Sequence, residues 1–182
     1  MAASMAACSQ SGSGSSSQTA EESSSSAVEE SSAAGEESSA AEASETPETV
    51  TITSLNGEGA ETQLEVPYDP QRIAILDMAS LDILDALGVG DRVVGTASTS
   101  LDYLQSYINE DIANLGTIKE ADLEAVMSCE PDVIFIGGRL AGSYDALSEI
   151  APVVYLSTDT EQGVVESVRK NANTIASLFG LE

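Results

Sequence analysis

Period-two alternation begins at Thr49-Val-Thr-Ile-Thr-Ser-Leu55, which predicts a half-buried strand. Asn56-Gly-Glu-Gly59 is turn chemistry, and Thr62-Gln-Leu-Glu-Val66 predicts the returning strand of a hairpin closed by Pro67 and Pro70. Beyond it the pattern changes to short apolar runs separated by helical periods. Strands are predicted over 72–76, 93–96, 132–136 and 153–156. Between them, Leu81, Leu84 and Leu87 share one face of a helix capped by Ser80, with Asp82 near its positive end and Gly88 and Gly90 as its stop. A weak helix is predicted over 101–108, and two more over 121–128 and 144–150, the last capped by Ser143. Residues 160–181 predict an amphipathic helix about 30 Å long, striped by Val164, Val165, Val168, Ile175, Leu178 and Phe179.

Strands alternating with helices predict an α/β fold: a mostly parallel sheet with helices on both faces. Ligands of such sheets sit outside the carboxyl ends of the strands. The residues that follow the strands are therefore the candidates. They are Asp77-Met78-Ala79, Ala97-Ser98-Thr99, Gly116-Thr117-Ile118-Lys119, Gly137-Gly138-Arg139 and Ser157-Thr158.

Composition separates the first 48 residues from the rest. Residues 9–48 hold 15 Ser in 40 positions, and residues 1–48 hold 9 Glu, no basic residue and no aromatic. Such a segment buries too little apolar surface to offset its chain entropy, so a disordered tether is expected. As a coil, its 40 residues would span roughly 35 Å. Before it, Met1-Ala-Ala-Ser-Met-Ala-Ala-Cys8 resembles the end of a bacterial lipoprotein signal, whose cysteine is lipidated. The charged and apolar parts of such a signal do not precede it, so residues 1–8 are either a truncated signal or an accidental match.

Charge narrows the partners. With 31 Asp+Glu against 6 Lys+Arg the formal charge is −25, which argues against nucleic acid and against electrostatic attachment to anionic lipid. The absence of His removes His-dependent triads and His-containing zinc sites. Two cysteines, at 8 and 129, cannot build a disulfide framework, and no run of 18 apolar residues is present. Arg139 is the sharpest candidate. It follows a buried strand and two glycines, and its five donors suit carboxylate, phosphate or phenolate oxygens. The helix predicted to start near Ser143 would add backbone N–H groups. The plainer reading is a surface arginine paired with one of many acids. For Lys119 the plainer reading is a salt bridge to Glu120 or Asp122. Arg72 and Arg92 precede strands, at the wrong end of the sheet, while Arg169 and Lys170 belong to a solvated helix face. Asp77 sits where phosphoacceptors and ribose-binding acids also sit, without the further clustered acids of a receiver. Gly137-Gly-Arg-Leu-Ala-Gly142 lacks the spacing of a dinucleotide loop. Cys129 reads as a small core residue, and Ser98 and Thr99 have no base to activate them.

Three stretches carry a family resemblance: Asn114-Leu-Gly-Thr-Ile-Lys-Glu-Ala-Asp-Leu-Glu-Ala-Val126, Glu130-Pro-Asp-Val-Ile-Phe-Ile-Gly-Gly-Arg139 and Ser143-Tyr-Asp-Ala-Leu-Ser-Glu-Ile-Ala-Pro-Val-Val-Tyr155. Ile75-Leu-Asp-Met-Ala-Ser-Leu-Asp-Ile-Leu-Asp-Ala-Leu-Gly88 adds a fourth. Together, over about residues 49–182, they resemble the iron-siderophore substrate-binding lipoproteins of ABC importers, especially the branch for petrobactin-like and other catecholate siderophores. The resemblance implies two α/β lobes joined by a long helix, with the ligand between them. Residues 49–159 would form the N-terminal lobe and 160–182 the start of the connecting helix, with the C-terminal lobe absent.

It also implies roles. Arg139 matches an arginine that contacts phenolate oxygens. Lys119 and Ile118 match one cleft-lining loop, and Ser98 and Thr99 another, where relatives often carry a basic residue that this chain lacks. Gly138, Met78 and Tyr144 complete the implied ligand set. Glu124 matches an acid that docks on an arginine of the permease. The iron keeps its siderophore ligands, so the protein needs neither a metal-ligand cluster nor a cofactor. The implied protein is a monomer and not an enzyme. It would be lipid-anchored through Cys8 on the extracellular face of the membrane of a Gram-positive-type bacterium, with the permease and its ATPase as partners. Three alternatives stay open: the same fold carrying cobalamin, haem or a hydroxamate siderophore; a cytoplasmic nucleotide-binding or phosphoacceptor α/β domain; and an inert truncated gene product.

Overall fold

The computed structural model describes residues 46–161 and 163–182. The tether over 9–45 and the lipobox-like Cys8 lie outside the described residues. The hairpin forms as its alternation predicts: β1 (Thr49–Leu55) pairs antiparallel with β2 (Glu61–Pro67), Thr49 opposite Pro67 and Leu55 opposite Glu61. Asn56 closes the turn by accepting the N–H groups of Glu58 and Ala60 on its side-chain oxygen at 3.1 and 2.9 Å.

Five parallel strands make the main sheet: β3 (Ile73–Ile75), β4 (Val93–Thr96), β5 (Ala113–Asn114), β8 (Val133–Ile136) and β9 (Val153–Tyr155), in the order β5-β4-β3-β8-β9. Every residue of β3 and β8 is buried, as expected of strands covered on both faces. Alternate side chains divide between two cores. On one face Ile73, Ile75, Val133 and Phe135 pack with Leu81 and Leu84 of α1 (Met78–Ala86) and with Ile175 of α4 (Val164–Ser177). On the other, Ala74, Leu76, Ile134 and Ile136 pack with Val126 of α2 (Leu123–Ser128) and Leu147 of α3 (Tyr144–Ser148). Each of the larger side chains contributes about 2 kcal/mol by its burial.

Local details differ from the sequence reading. Asp77, not Ser80, caps α1: its Oδ2 accepts the Ser80 N–H and the Ser80 hydroxyl, both at 2.9 Å. Strand β3 ends early enough for Asp77 to be the extended residue that a cap requires. Asp122 likewise caps α2, accepting the Ala125 N–H at 3.0 Å. Ser143 makes no capping hydrogen bond, because residues Gly138–Ser143 already form a 3₁₀ turn that runs into the five-residue α3. The segment at 101–108 is a 3₁₀ turn, Asp102–Tyr107, rather than a helix. Strand β5 and the small hairpin of β6 (Gly116–Thr117) and β7 (Glu120–Ala121) are additional to the predicted strands, and Ala121 belongs to β7 rather than to the helix.

Helix α4 is 14 residues long, about 21 Å, and not the 30 Å expected. Its stripe is only half used. Ile175 and Leu178 are buried, but Val164, Val165 and Val168 are 54%, 73% and 45% exposed. The inward position of the first turns belongs to Ser167, whose hydroxyl donates to the Asp159 carbonyl and accepts the Asp159 N–H, each at 2.9 Å. A polar tie, rather than the valines, fastens this end of the helix.

Candidate functional site

The amino edge of the sheet uses its charges internally. Asp132 Oδ2 accepts the N–H groups of Gln71 and Arg72 at 2.8 and 2.9 Å. Arg72 Nε donates to the carbonyls of Cys129 and Glu130 at 3.1 and 3.0 Å, placing a cation at the negative end of α2. Arg92 pairs with Asp69 and lies 5.2 Å from the centre of the Phe179 ring. Cys129, beside the Arg72 contacts, is buried, and burial pushes its thiol pKa up, against reactivity.

The carboxyl rim is built differently. The close approach of two neighbouring strand ends sets its centre: a Cβ on Gly137 would lie 2.6 Å from Asp77 Oδ1. Only glycine lets the α1 cap and the end of β8 sit together. Gly138 and Arg139 follow on the exposed 3₁₀ turn, with Leu140 buried beneath as its anchor. The Asp77 carboxylate is occupied in capping α1, which accounts for it without a phosphoacceptor role.

Ile118 and Lys119 form the tip of the β6–β7 hairpin. Thr117 Oγ1 holds that tip by accepting the N–H groups of Lys119 and Glu120 at 3.2 and 3.1 Å. Gly116 is required there: its φ is +95°, and a Cβ would come within 2.5 Å of the Glu120 carbonyl. Ile118 packs against the second core, while Lys119 is exposed. Strand β7 lies against the turn that bears Arg139, so the loops carrying Lys119 and Arg139 are neighbours.

Among the described residues, which include all six basic side chains, Arg169 pairs with Glu166 at 2.9 Å and Lys170 with Glu61 at 2.8 Å. Arg92 has Asp69, and Arg72 has its two carbonyls. Arg139 and Lys119 have no carboxylate partner among the described residues. The salt bridges to Glu120 or Asp122 allowed by the sequence do not form.

The remaining candidates divide. Met78 is half-buried against both cores and Tyr144 against the second, its side chain on the hairpin turn, where a Cβ on Gly57 would lie 3.2 Å from the Tyr144 Cβ and 3.5 Å from its ring. Ser98 donates its hydroxyl to the Gly116 carbonyl at 3.0 Å, and Thr99 Oγ1 accepts the Leu101 N–H at 3.2 Å. Both hydroxyls fasten their loop. Glu124 is exposed in the first turn of α2 and forms no ion pair with a described residue. The N–H groups expected from a helix at Ser143 are not presented as a helix terminus, since the 3₁₀ turn precedes it.

A cavity of about 630 Å³ opens beside α4, lined in part by Ser54, Ser157, Thr158 and Lys170. It includes neither Arg139 nor Lys119. Glu61, Asp159 and Glu166 also line it, and Lys170 is already paired, so its field repels an anion. The rim, not this cavity, has the electrostatics for an anionic ligand. One rim residue escaped the sequence reading: Tyr155, whose hydroxyl lies under Gly138. An aromatic near the end of the predicted strand 153–156 is the available signal.

Comparison with known proteins agrees with this architecture. The model of the periplasmic binding protein family matches residues 73–182. Over 119 residues the chain is 38% identical to the petrobactin-binding protein YclQ of Bacillus subtilis, covering 65% of this chain and 37% of that one. The ferric-anguibactin-binding protein FatB of Vibrio anguillarum is 35% identical over 99 residues, 53% of this chain and 30% of its own. The crystal structure of YclQ superposes with a TM-score of 0.66 at 35% identity, covering 73% of this chain and 46% of that chain. The catecholate-siderophore binding protein VctP of Vibrio cholerae gives 0.65 at 29%, covering 73% and 47%. The chain thus spans less than half the length of these relatives, which are solute-binding proteins. With more than half of its residues inside the family model and the same parallel α/β sheet, the chain belongs to the periplasmic binding protein family.

Proposed function

We propose that this chain captures a ferric siderophore of the catecholate class for an ABC importer, as one wall of a two-lobed cleft. The observation that carries the reading is the pair Arg139 and Lys119: in a chain of formal charge −25, these are the two basic side chains with neither a carboxylate nor a carbonyl partner among the described residues, and they sit on adjacent loops of the strand-end rim. A ferric tris-catecholate is an anion rich in phenolate oxygens. A guanidinium beside two glycines offers it directed donors, and an ammonium on the next loop adds a second charge. The name of VctP gives the same ligand class, and those of YclQ and FatB give petrobactin and ferric anguibactin as their ligands.

In this reading no bond is made or broken and the iron stays with its chelate, so the protein is neither an enzyme nor the holder of a cofactor. Gly138, Ile118, Met78 and Tyr144 shape the rim, with Ser98 and Thr99 at its edge. Glu124, exposed on α2, meets an arginine of the permease, whose ATPase drives transport. Cys8 carries the lipid that holds the protein, as a monomer, at the extracellular face of the membrane.

The chain has 5 Tyr and no Trp, so tyrosine fluorescence reports binding directly. Titration with ferric tris-catecholate is expected to quench it saturably, with ferric hydroxamate, haem and cobalamin quenching less. Saturable quenching by one of those three alone would reassign the cargo. No response to any of the four would overturn the reading.

A further inference from the structure

Tyr155 closes β9 opposite Ile136 of β8, and its side chain belongs to the second core. Its residue is only 7% exposed. The ring reaches past the strand end, since a Cβ on Gly138, two residues beyond Ile136, would lie 3.3 Å from the Tyr155 hydroxyl. The backbone is pinned on its other side: Ser54 Oγ accepts the Tyr155 N–H at 2.9 Å and donates to its carbonyl at 3.3 Å. Yet the hydroxyl itself has no hydrogen-bond partner among the described residues. Those residues contain no fully buried side-chain oxygen or nitrogen left unsatisfied. The phenol hydroxyl is therefore not sealed from solvent, and the side-chain position that Gly138 leaves empty lies directly against it.

A buried, rotationally fixed tyrosine with a bare hydroxyl is an unusual use of a polar group, because most such hydroxyls find a partner within the protein. Here Gly138, whose empty side-chain position adjoins that hydroxyl, is the residue before Arg139. We infer that Tyr155 is a ligand-binding residue whose hydroxyl donates, next to the Arg139 guanidinium, to an anionic oxygen of the bound chelate, and that Gly138 keeps the way to it open. This rests on the anionic-chelate reading above and adds a residue that reading does not contain. An O–H donor to a charged oxygen makes a short, strong bond, and a hydroxyl already fixed by its ring loses little freedom in making it. The inference also assigns Gly138 a purpose: an alanine there would cover the phenol with a methyl group.

The test is calorimetric titration of the chain with ferric tris-catecholate, alongside Tyr155→Phe and Gly138→Ala. Tyr155→Phe keeps the ring and its packing, and is expected to bind roughly tenfold more weakly. Gly138→Ala keeps the hydroxyl and covers it, and is expected to bind roughly fivefold more weakly. A structural effect would not move a second readout. With 13Cζ-tyrosine labelling and the diamagnetic gallium tris-catecholate, the resonance missing from Tyr155→Phe should shift on ligand addition in the unmodified chain. If the chain binds the chelate while both variants match it and that resonance stays still, Tyr155 is only core and the inference is wrong. If the unmodified chain binds no catecholate chelate, the chelate reading itself fails and takes this inference with it.

Discussion

The two ends of the parallel sheet treat their cations in opposite ways. At the amino edge, Arg72 spans the last carbonyls of α2 and Arg92 is held between Asp69 and the Phe179 ring. At the carboxyl rim, Arg139 and Lys119 have side-chain partners of neither kind among the described residues, although the chain has 31 acids to offer. The same side-chain chemistry is therefore structural at one end and held in reserve at the other. Helix polarity explains part of the difference. The helices that cross back along a parallel sheet place their negative ends at the amino edge, where a guanidinium is satisfied at once. At the rim the loops are fastened by neutral groups, Thr117, Ser98 and Thr99, and the cations have no partner among the described residues.

The sharpest way to break this contrast is to collapse the scaffold of the rim. Gly116→Ala forces a Cβ toward the Glu120 carbonyl at a φ of +95°, and should cost about 3 kcal/mol of stability in urea denaturation. It should also abolish chelate binding, because Lys119 loses its position. Full stability in this variant would show that the hairpin tip is not rigid. The matching change at the other edge is Arg72→Ala. It uncaps α2 and should cost about 2 kcal/mol, while catecholate affinity stays within about twofold. A large loss of affinity would mean that the amino edge is not purely structural.

These pairs also mark how far the amino-acid sequence can be read. The hairpin, the buried runs at Ile73-Ala-Ile75 and Val133-Ile-Phe-Ile136 and the division into two cores follow from period and apolarity alone. The strand-end rule placed Arg139 and Lys119 correctly on the rim. What failed was local. Ser80 and Asp77 are both good caps, and only the strand's end point chooses between them. Two-residue strands such as β5, β6 and β7 are too short to show a period. The half-exposed stripe of α4 shows that amphipathicity predicts which face is apolar, not what covers it. Tyr155 was invisible because its role depends on a neighbour with no side chain.

On the rim itself the contrast sharpens into a ranking. Arg139→Ala should weaken ferric tris-catecholate binding about tenfold by calorimetry, with no change in thermal midpoint, because no described residue depends on its guanidinium. An unchanged affinity would remove it from the site. Arg139→Lys should recover only part of the loss, since a point charge lacks the planar fork.

Lys119→Ala should have the smallest effect, about threefold. Its ammonium sits on a solvated hairpin tip and acts through the field more than through a fixed bond. That distinction has its own signature. Screening shortens the reach of an exposed charge to about 8 Å at physiological ionic strength and about 3 Å at 1 M salt. The difference in affinity between the parent chain and Lys119→Ala should therefore vanish at high salt, while most of the difference for Arg139→Ala persists. If the Lys119 effect survives 1 M salt, the ammonium makes a direct, desolvated contact, and the rim has two anchors of equal standing rather than one anchor and one attracting charge.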